Sequence, residues 1–247
     1  MPRYDFRTPR LYVASALDHG ASVPLDKGQV NYLTNVLRLD TGDPVLVFNG
    51  RDGEWRAQLQ REGRKSAALV LAEQLRPQHA ACDLYYLFAP LKHARLDYMV
   101  QKAVELGVSR LQPVTTRHTQ AARVNLERMQ ANAIEAAEQC GILTVAEVGD
   151  AIPLTKALEQ LTAGRILVFC DEDADTRDPV TALSDVPKGA PLAVLVGPEG
   201  GFAEEERALL LKHPSVVRLA LGPRILRADT AAVAALTLVQ AVAGDWR

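Results

Sequence analysis

Cysteine is scarce in this chain of 247 residues. Its three cysteines, Cys82, Cys140 and Cys170, are widely separated, odd in number and not part of a Cys-x-x-Cys or Cys/His pattern. This spacing excludes a disulfide-dense scaffold and gives no support to a zinc site. Reduced thiols in a cytosolic protein are the simplest interpretation, so we expect a cytoplasmic location and no bound metal.

Long apolar runs are also missing. No run reaches the roughly 18 residues that a membrane-spanning helix needs, and the opening residues, MPRYDFRTPR, lack the apolar stretch of a signal peptide. Apolar residues nevertheless make up 48% of the chain and charged residues 23%, which is typical of globular proteins. We therefore expect a well-filled hydrophobic core and no membrane partner.

The net charge is only −2, so composition alone does not indicate a nucleic-acid-binding protein. The charge is unevenly distributed, however. Residues 133–206 carry a net charge of −11, whereas residues 76–132 and 207–247 carry +4 each. The two basic segments could share a face that attracts phosphates, or their side chains could simply solvate helix surfaces.

The sequence changes in character near residue 75. Before it, short apolar runs between turn residues predict a small β-barrel or sandwich, with a helix over 29–39 and a hairpin around 49–53. Residues 75–80 are the predicted linker. Beyond it, apolar runs alternate with amphipathic segments, which predicts an α/β fold with a parallel sheet covered on both faces. The predicted strands are 84–88, 110–114, 166–170, 192–196 and 216–221, and the predicted helices are 95–106, 125–140, one starting near 153, 204–212 and 229–243.

Two irregular loops rich in glycine and proline follow successive predicted strands. The first is Gly197-Pro198-Glu199-Gly200-Gly201-Phe202, and the second is Gly222-Pro223-Arg224-Ile225-Leu226-Arg227. Ligands bind outside the carboxyl ends of strands in open α/β sheets, and bare glycine backbone lets a ligand approach closely. Neither loop matches a dinucleotide-binding or Walker motif. We interpret them as a nucleoside site, although tight turns whose glycines serve conformation alone would give the same pattern.

Other chemistries have less support. The five histidines show no metal-ligand spacing, and there is no Gly-x-Ser-x-Gly nucleophile motif. We interpret Cys170 as a core residue, Glu204–Glu206 as favourable charge at a helix start, and the acidic run 171–175 as a solvated loop.

The two loops resemble the paired C-terminal signatures of the RsmE family, the 16S ribosomal RNA uridine-N3 methyltransferases. The matching segments are Leu195–Phe202 (LVGPEGGF) and Leu221–Ala231 (LGPRILRADTA). Further matches lie at Lys92 and Arg95, at 101–108 (QKAVELGV), at 135–139 (EAAEQ), at 10–13 (RLYV) and at 36–38 (VLR). The resemblance therefore extends over nearly the whole chain.

This resemblance implies a PUA-like β-barrel over residues 1–75 that binds RNA and, over 76–247, a SPOUT α/β domain with a trefoil knot. It further implies a homodimer that uses S-adenosyl-L-methionine to methylate N3 of a specific uridine in 16S rRNA of the small ribosomal subunit. The implied cofactor-binding residues are Leu195, Gly197, Glu199, Gly200, Gly201, Leu221, Gly222, Ile225 and Leu226.

The resemblance also suggests residues that act on RNA. Arg227 and Glu199 are the candidate catalytic residues, since a cation could stabilise a uridine anion and Glu199 is the carboxylate nearest the implied pocket. The candidate RNA contacts are Lys92, Arg95, Lys102, Arg117, Arg123, Arg10 and Arg38. Arg95 could equally be an ordinary solvated helix residue.

Three positions depart from the family pattern. Ile142 and Ala146 stand where the family usually has Arg and Pro, and Asp229 stands where Glu is frequent. The first two leave open a non-catalytic protein of RNA binding or ribosome assembly, and a SPOUT enzyme acting on another RNA position is a further alternative. Asp229 keeps the charge and is expected to cap the last helix.

Overall fold

The computed structural model describes residues 5, 7–63, 66–120, 123–176 and 178–246. The chain forms two compact units. The N-terminal unit consists of Met1–Ala80 together with Ala137–Val145, and the C-terminal unit consists of Ala81–Ala136 and Ala146–Arg247. The contiguous domain boundary at residue 75 stays a prediction. Residues 137–145 belong to the first unit although nothing in their local composition indicates it.

A five-stranded sheet forms the N-terminal unit. Its strands are β1 (Arg10–Tyr12), β2 (Ser22–Pro24), β3 (Pro44–Phe48), β4 (Glu54–Arg61) and β5 (Ala67–Arg76). Their order is β1-β3-β4-β5-β2, with β1 parallel to β3 and the other pairs antiparallel. The predicted hairpin is confirmed, because Phe48 pairs with Glu54 across the turn. Strand β5 runs on to Arg76, so the predicted linker begins within a strand.

The predicted helix over 29–39 is only partly correct. Helix α1 (Lys27–Asn31), which starts with a capping box at Asp26, passes directly into a π-helical turn at Tyr32–Val36. Inside this turn the Thr34 hydroxyl donates to the carbonyl of Val30 at 2.8 Å, a side-chain bond that competes with the helical ladder. Arg38 then takes a left-handed conformation with φ 58°, which ends the helical segment.

Parallel strands make the sheet of the C-terminal unit, as the sequence predicts. They are β6 (Leu84–Phe88), β7 (Arg110–Thr115), β8 (Glu147–Val148), β9 (Ile152–Pro153), β10 (Ile166–Cys170), β11 (Leu192–Val196) and β12 (Val216–Leu219). The order is β12-β10-β11-β6-β7-β8, and β9 pairs with β7. The central strand β11 is buried throughout, which explains its unbroken apolar sequence.

The remaining helices are α2 (His93–Glu105), α3 (Leu126–Gln139), α4 (Leu154–Glu159), α5 (Pro179–Leu183), α6 (Glu204–Leu211) and α7 (Ala228–Val242). Gly107, just after the predicted helix 95–106, has a φ of 81°, as is typical of a helix end. At the start of α3 the Asn125 side chain accepts from the backbone N–H of Arg128 at 3.0 Å. The capping prediction for Asp229 is wrong, because α7 begins one residue earlier and Asp229 lies in its first turn.

Since the strands of this sheet run parallel, the carboxyl ends of β6, β7, β10, β11 and β12 lie along one edge. Both glycine loops leave the sheet at this edge. Among the described residues, no helix combines the length and the apolarity needed to cross a lipid bilayer.

Candidate functional site

The first glycine loop is held against the sheet by an aromatic contact. The Phe202 ring meets the Phe169 ring edge-on, with 5.2 Å between their centroids. A side chain at Gly197 would collide with Phe202, since an added Cβ would lie 2.4 Å from its ring. Gly201 has a φ of 70° and donates its N–H to the carbonyl of Pro198 at 2.9 Å. Close approach at one glycine and a left-handed turn at the other therefore fix the loop.

The segment that follows β7 supports the same loop. His118 Nδ1 lies 3.1 Å from the carbonyl oxygens of Gly200 and Gly201. Because carbonyls only accept hydrogen bonds, this geometry places the proton on Nδ1. Glu206 accepts from the backbone N–H of Arg117 at 2.8 Å and from that of Ala203 at 3.0 Å. Sequence reasoning missed His118, because a single histidine after a strand carries no motif.

The second glycine loop is open to solvent. Gly222 has a φ of 88°, and an added Cβ there would meet nothing within 4 Å. Ile225 is 95% exposed, an unusual state for a large apolar side chain. Leu221 and Leu226 are half-buried. Arg227 is exposed at the N-cap position of α7, where its side chain makes no capping hydrogen bond. The loop thus presents apolar and cationic groups together at the carboxyl edge of the sheet.

Arg95, on α2, binds both loop regions. Its Nε and Nη2 donate to the two carboxylate oxygens of Asp229, at 2.9 and 3.0 Å, and Nη1 donates to Glu199 at 2.5 Å. The hydrogen bonds to Asp229 and then Glu199 raise the pKa of Arg95, and the Arg95 guanidinium lowers the pKa of Asp229. Glu199 lies in the first loop, and Asp229 follows the second.

A small open cleft lies beside this ion pair. Its lining combines apolar walls with polar edges and consists of Pro90, Leu91, Lys92, Arg95, Gln120, Pro198 and Glu199. The turn after β6, the segment after β7 and the first glycine loop all contribute to it. This convergence is typical of a ligand site at the carboxyl edge of a parallel sheet.

The acidic run 171–175 is not simply a solvated loop, and that prediction is wrong for its first residue. Asp171 is only 5% exposed and follows β10. Its carboxylate accepts from Arg207 on α6 at 3.0 Å and from Arg218 on β12 at 2.8 Å. Burial opposes ionisation of Asp171, but hydrogen bonds from Arg218 and Arg207 outweigh it and lower the pKa. Burial also raises the pKa of the neighbouring Cys170 thiol, to about 12.

The implied cofactor residues fall into three groups. Gly197, Glu199, Gly200 and Gly201 lie in the first loop, and Leu221, Gly222, Ile225 and Leu226 lie in the second. Leu195 is fully buried within β11, so its side chain contributes to the core and only its backbone is near the loop.

The implied RNA residues are placed differently from one another. Lys92, Arg117 and Arg123 are exposed in the C-terminal unit, while Lys102 pairs with Glu105 at 2.7 Å. Arg38 is exposed in the N-terminal unit. Arg10 is 7% exposed there and pairs with Glu54 at 2.7 Å, so its guanidinium is engaged inside the unit and is not placed to meet a phosphate.

Comparison with known protein families supports an RNA-modifying site. Residues 78–240 match a model described as an RNA methyltransferase domain, and residues 25–72 match an RNA methyltransferase PUA domain. The expected PUA-like N-terminal domain is thereby confirmed. The trefoil knot stays a prediction.

Relatives extend over nearly the whole chain. Ribosomal RNA small subunit methyltransferase E of Rickettsia conorii is 32% identical over 94% of both chains. The Bacillus subtilis protein of the same name is 28% identical over 85% of this chain and 86% of its own. A crystal structure of the Neisseria gonorrhoeae protein of that name, bound to S-adenosyl methionine, superposes with a TM-score of 0.87 at 28% identity, covering 98% of this chain and all of the other (100%). The chain therefore belongs to the RNA methyltransferase family that includes the ribosomal RNA small subunit methyltransferase E proteins.

Proposed function

We propose that this protein uses S-adenosyl-L-methionine to methylate N3 of a specific uridine in 16S rRNA of the small ribosomal subunit, in the cytoplasm and as a homodimer. The observation that carries the proposal is the ion-paired cluster at Arg95, which joins the first glycine loop to the start of α7, directly after the second glycine loop, in a chain of this family. The Neisseria relative, solved with the same cofactor, supports the choice of methyl donor.

The loops fit an adenosylmethionine molecule. Open space lies beside the backbone of Gly201 and Gly222, where an added Cβ would meet nothing within 4 Å. Backbone N–H and C=O groups are the donor and acceptor types that the edge of an adenine requires. Half-buried Leu221 and Leu226 offer apolar surface to its ring. When bound, the cofactor supplies a sulfonium methyl group for in-line transfer.

The chain's own residues then position the uridine and manage its proton. N3 lies on the Watson–Crick edge, so the base must be unpaired or flipped to react. Glu199 borders the cleft and is our candidate to accept the N3 proton, which must leave as the bond between N3 and the methyl group forms. Arg227 is our candidate to stabilise the negative charge that develops on the base. A cation at the start of a helix is opposed by the helix dipole, which favours a functional reason for Arg227 at this position.

We further propose that RNA phosphates bind the exposed cations around this edge. Lys92 lines the cleft itself, and Arg117 and Arg123 lie in and after the segment that supports the first loop. Lys102 and Arg38 are secondary candidates, and Arg10 is left out because it is buried. Such contacts position an RNA without specifying its sequence.

A direct assay tests the proposal. Purified protein is incubated with labelled S-adenosylmethionine and with small ribosomal subunits that lack the modification. The RNA is then digested and its methylated nucleosides are identified by mass spectrometry. We expect N3-methyluridine. A different methylated nucleoside would overturn the target, and binding of cofactor and RNA without methylation would indicate the non-catalytic alternative, for which Ile142 and Ala146 are the sequence argument.

A further inference from the structure

Arg95 resembles an RNA contact by its position, since it is a half-exposed cation in the cleft. Its bonding points to another role. We propose that Arg95 is a positioning residue rather than a phosphate contact: it ties the first glycine loop to the start of α7, directly after the second glycine loop, and holds the Glu199 carboxylate at the cleft. This inference rests on the proposed function, because it assigns a role within the same site.

The geometry of the guanidinium carries the argument. Two of its nitrogens face the two oxygens of Asp229 in a fork-to-fork pair, and the third nitrogen, Nη1, reaches Glu199. Paired donors of this kind fix orientation as well as distance. Three elements are thereby tied at one point: helix α2, the first loop through Glu199, and the start of α7 through Asp229.

Charge points the same way. One cation is shared between two carboxylates, so the local sum is negative and a phosphate approaching Arg95 would also meet Glu199 and Asp229. Glu199 is 42% exposed, so its charge is open to the same approaching RNA. Two carboxylates this close to the guanidinium weaken the attraction that Arg95 could offer to a phosphate.

Lys92 provides the matched comparison. It lies three residues before Arg95, lines the same cleft and is exposed. Within the part of the chain that the structure describes, no carboxylate lies within ion-pair distance of Lys92. Lys92 and Arg95 line the same cleft, but among the described residues only Arg95 is paired with carboxylates. Separate substitution of the two residues therefore distinguishes phosphate binding from positioning of the loop.

The experiment compares the full-length wild type with Lys92→Ala, Arg95→Ala and Arg95→Lys. Cofactor affinity is measured by calorimetry, and affinity for a 16S rRNA fragment is measured over a salt series. We expect Lys92→Ala to reduce the slope of log K against log salt by about 0.7–0.9, the value for one phosphate contact, with unchanged cofactor affinity. We expect Arg95→Ala to leave that slope unchanged and to weaken cofactor binding by roughly tenfold, an ordinary size for a lost hydrogen-bonded charge pair.

Arg95→Lys keeps the charge but loses the paired N–H donors that face the two oxygens of Asp229. We therefore expect this variant to bind cofactor nearly as poorly as Arg95→Ala. Asp229→Asn supplies a second route that leaves Arg95 in place. The cofactor affinity of the double variant Arg95→Ala/Asp229→Asn should lie within about threefold of that of the single variant with the lower affinity. The reason is that the two side chains act as one unit, so their effects do not add. Thermal melts check that each variant is folded.

A slope that falls with Arg95→Ala as it does with Lys92→Ala, together with wild-type cofactor affinity, would overturn the positioning role. Full rescue of cofactor binding by Arg95→Lys would do the same. Failure of the proposed function looks different, because the wild type itself would then bind no adenosylmethionine or yield no N3-methyluridine.

Discussion

Glu54 shows how one buried carboxylate organises the N-terminal unit. It is 2% exposed and binds Arg10 at 2.7 Å and Arg76 at 2.7 Å. The two arginines then donate to backbone carbonyls of 137–142, which include the last carbonyls of α3. Cations at a helix C-terminus satisfy carbonyls that lack a helical partner. Glu54 therefore links residues 137–142 to the strands of this unit through its two arginines.

We expect Glu54→Gln to lower the free energy of unfolding by about 3 kcal/mol at pH 7, because it leaves a buried arginine without its counter-charge. Burial opposes ionisation of Glu54, but Arg76 and Arg10 outweigh it and lower the pKa. A lowered pKa in the folded state gives stability that is complete above the unfolded value and lost as the pH falls through the folded value.

Urea titrations of wild type and Glu54→Gln at pH 7 and near pH 3 check this prediction. The difference between the two proteins should shrink at the lower pH. An equal difference in stability at both pH values would mean that the missing negative charge is not the cause of the destabilisation.

At the scale of elements, the first glycine loop depends on the space between β11 and Phe202. We expect Gly197→Ala to push Phe202 away from Phe169, because an added Cβ would lie 2.4 Å from the ring. Overpacking of this kind costs about 1–3 kcal/mol, which corresponds to roughly 5- to 150-fold in a dissociation constant if the whole strain falls on the cofactor-binding conformation. Cofactor titration measures the loss.

Gly164→Ala is the matched control for this loop. Gly164 has a φ of 85°, and an added Cβ there would meet nothing within 4 Å. It precedes β10, far along the chain from either loop. Alanine there adds backbone strain alone, so stability should fall slightly while cofactor affinity stays at the wild-type value. Equal loss of affinity in both variants would contradict the role given to Phe202.

Asp171 forms ion pairs that connect three secondary-structure elements. It joins the end of β10 to α6, which follows the first loop, and to β12, which precedes the second. We expect Asp171→Asn to reduce both thermal stability and cofactor affinity at pH 7. Since the pKa of Asp171 is lowered in the folded protein, the stability difference should disappear as the pH falls below the ordinary range of an aspartate. A loss of stability without any change in cofactor affinity would argue against the link to the loops.

For the whole molecule, the overall charge and the charge near the site make separate contributions to RNA binding. The net charge of −2 gives no general attraction to RNA, so binding should depend on local cations. We expect the triple variant Lys92→Glu, Arg117→Glu and Arg123→Glu to reduce affinity for 16S rRNA strongly. The control triple Lys156→Glu, Lys188→Glu and Lys212→Glu changes the net charge equally at exposed sites outside the cleft.

Filter binding at several salt concentrations compares the two triple variants. The first should lose affinity and salt dependence, and the control should stay within a few-fold of the wild type. Equal losses would show that net charge, and not a defined patch, governs RNA binding.

The sequence predicts this fold well where the signal is local. Apolar runs identify the buried strands β6, β10 and β11, and the position of Gly107 identifies the end of α2. The glycine loops are visible for the same reason, since three glycines within 197–201 and the Gly-Pro pair at 222–223 directly follow apolar runs.

Local patterns fail where a side chain is paired with a distant one. Arg95 meets Asp229 across 134 positions of sequence, and Arg10 meets Glu54 across 44. Asp171 looks like part of a solvated acidic run until β12 and α6 bring Arg218 and Arg207 beside it. Periodicity and composition contain no information about such partners, which is why roles based on exposed charge had to be revised.

The contrast among the three thiols has a practical consequence. Cys170 is chemically quiet near neutral pH because burial raises its pKa to about 12, and burial also raises the pKa of Cys82. Cys140 is exposed. Maleimide reagents attack thiolates, so a fluorophore should attach at Cys140 first. The natural sequence thus offers Cys140 as the preferred dye position for following RNA encounter by fluorescence, with no engineered cysteine.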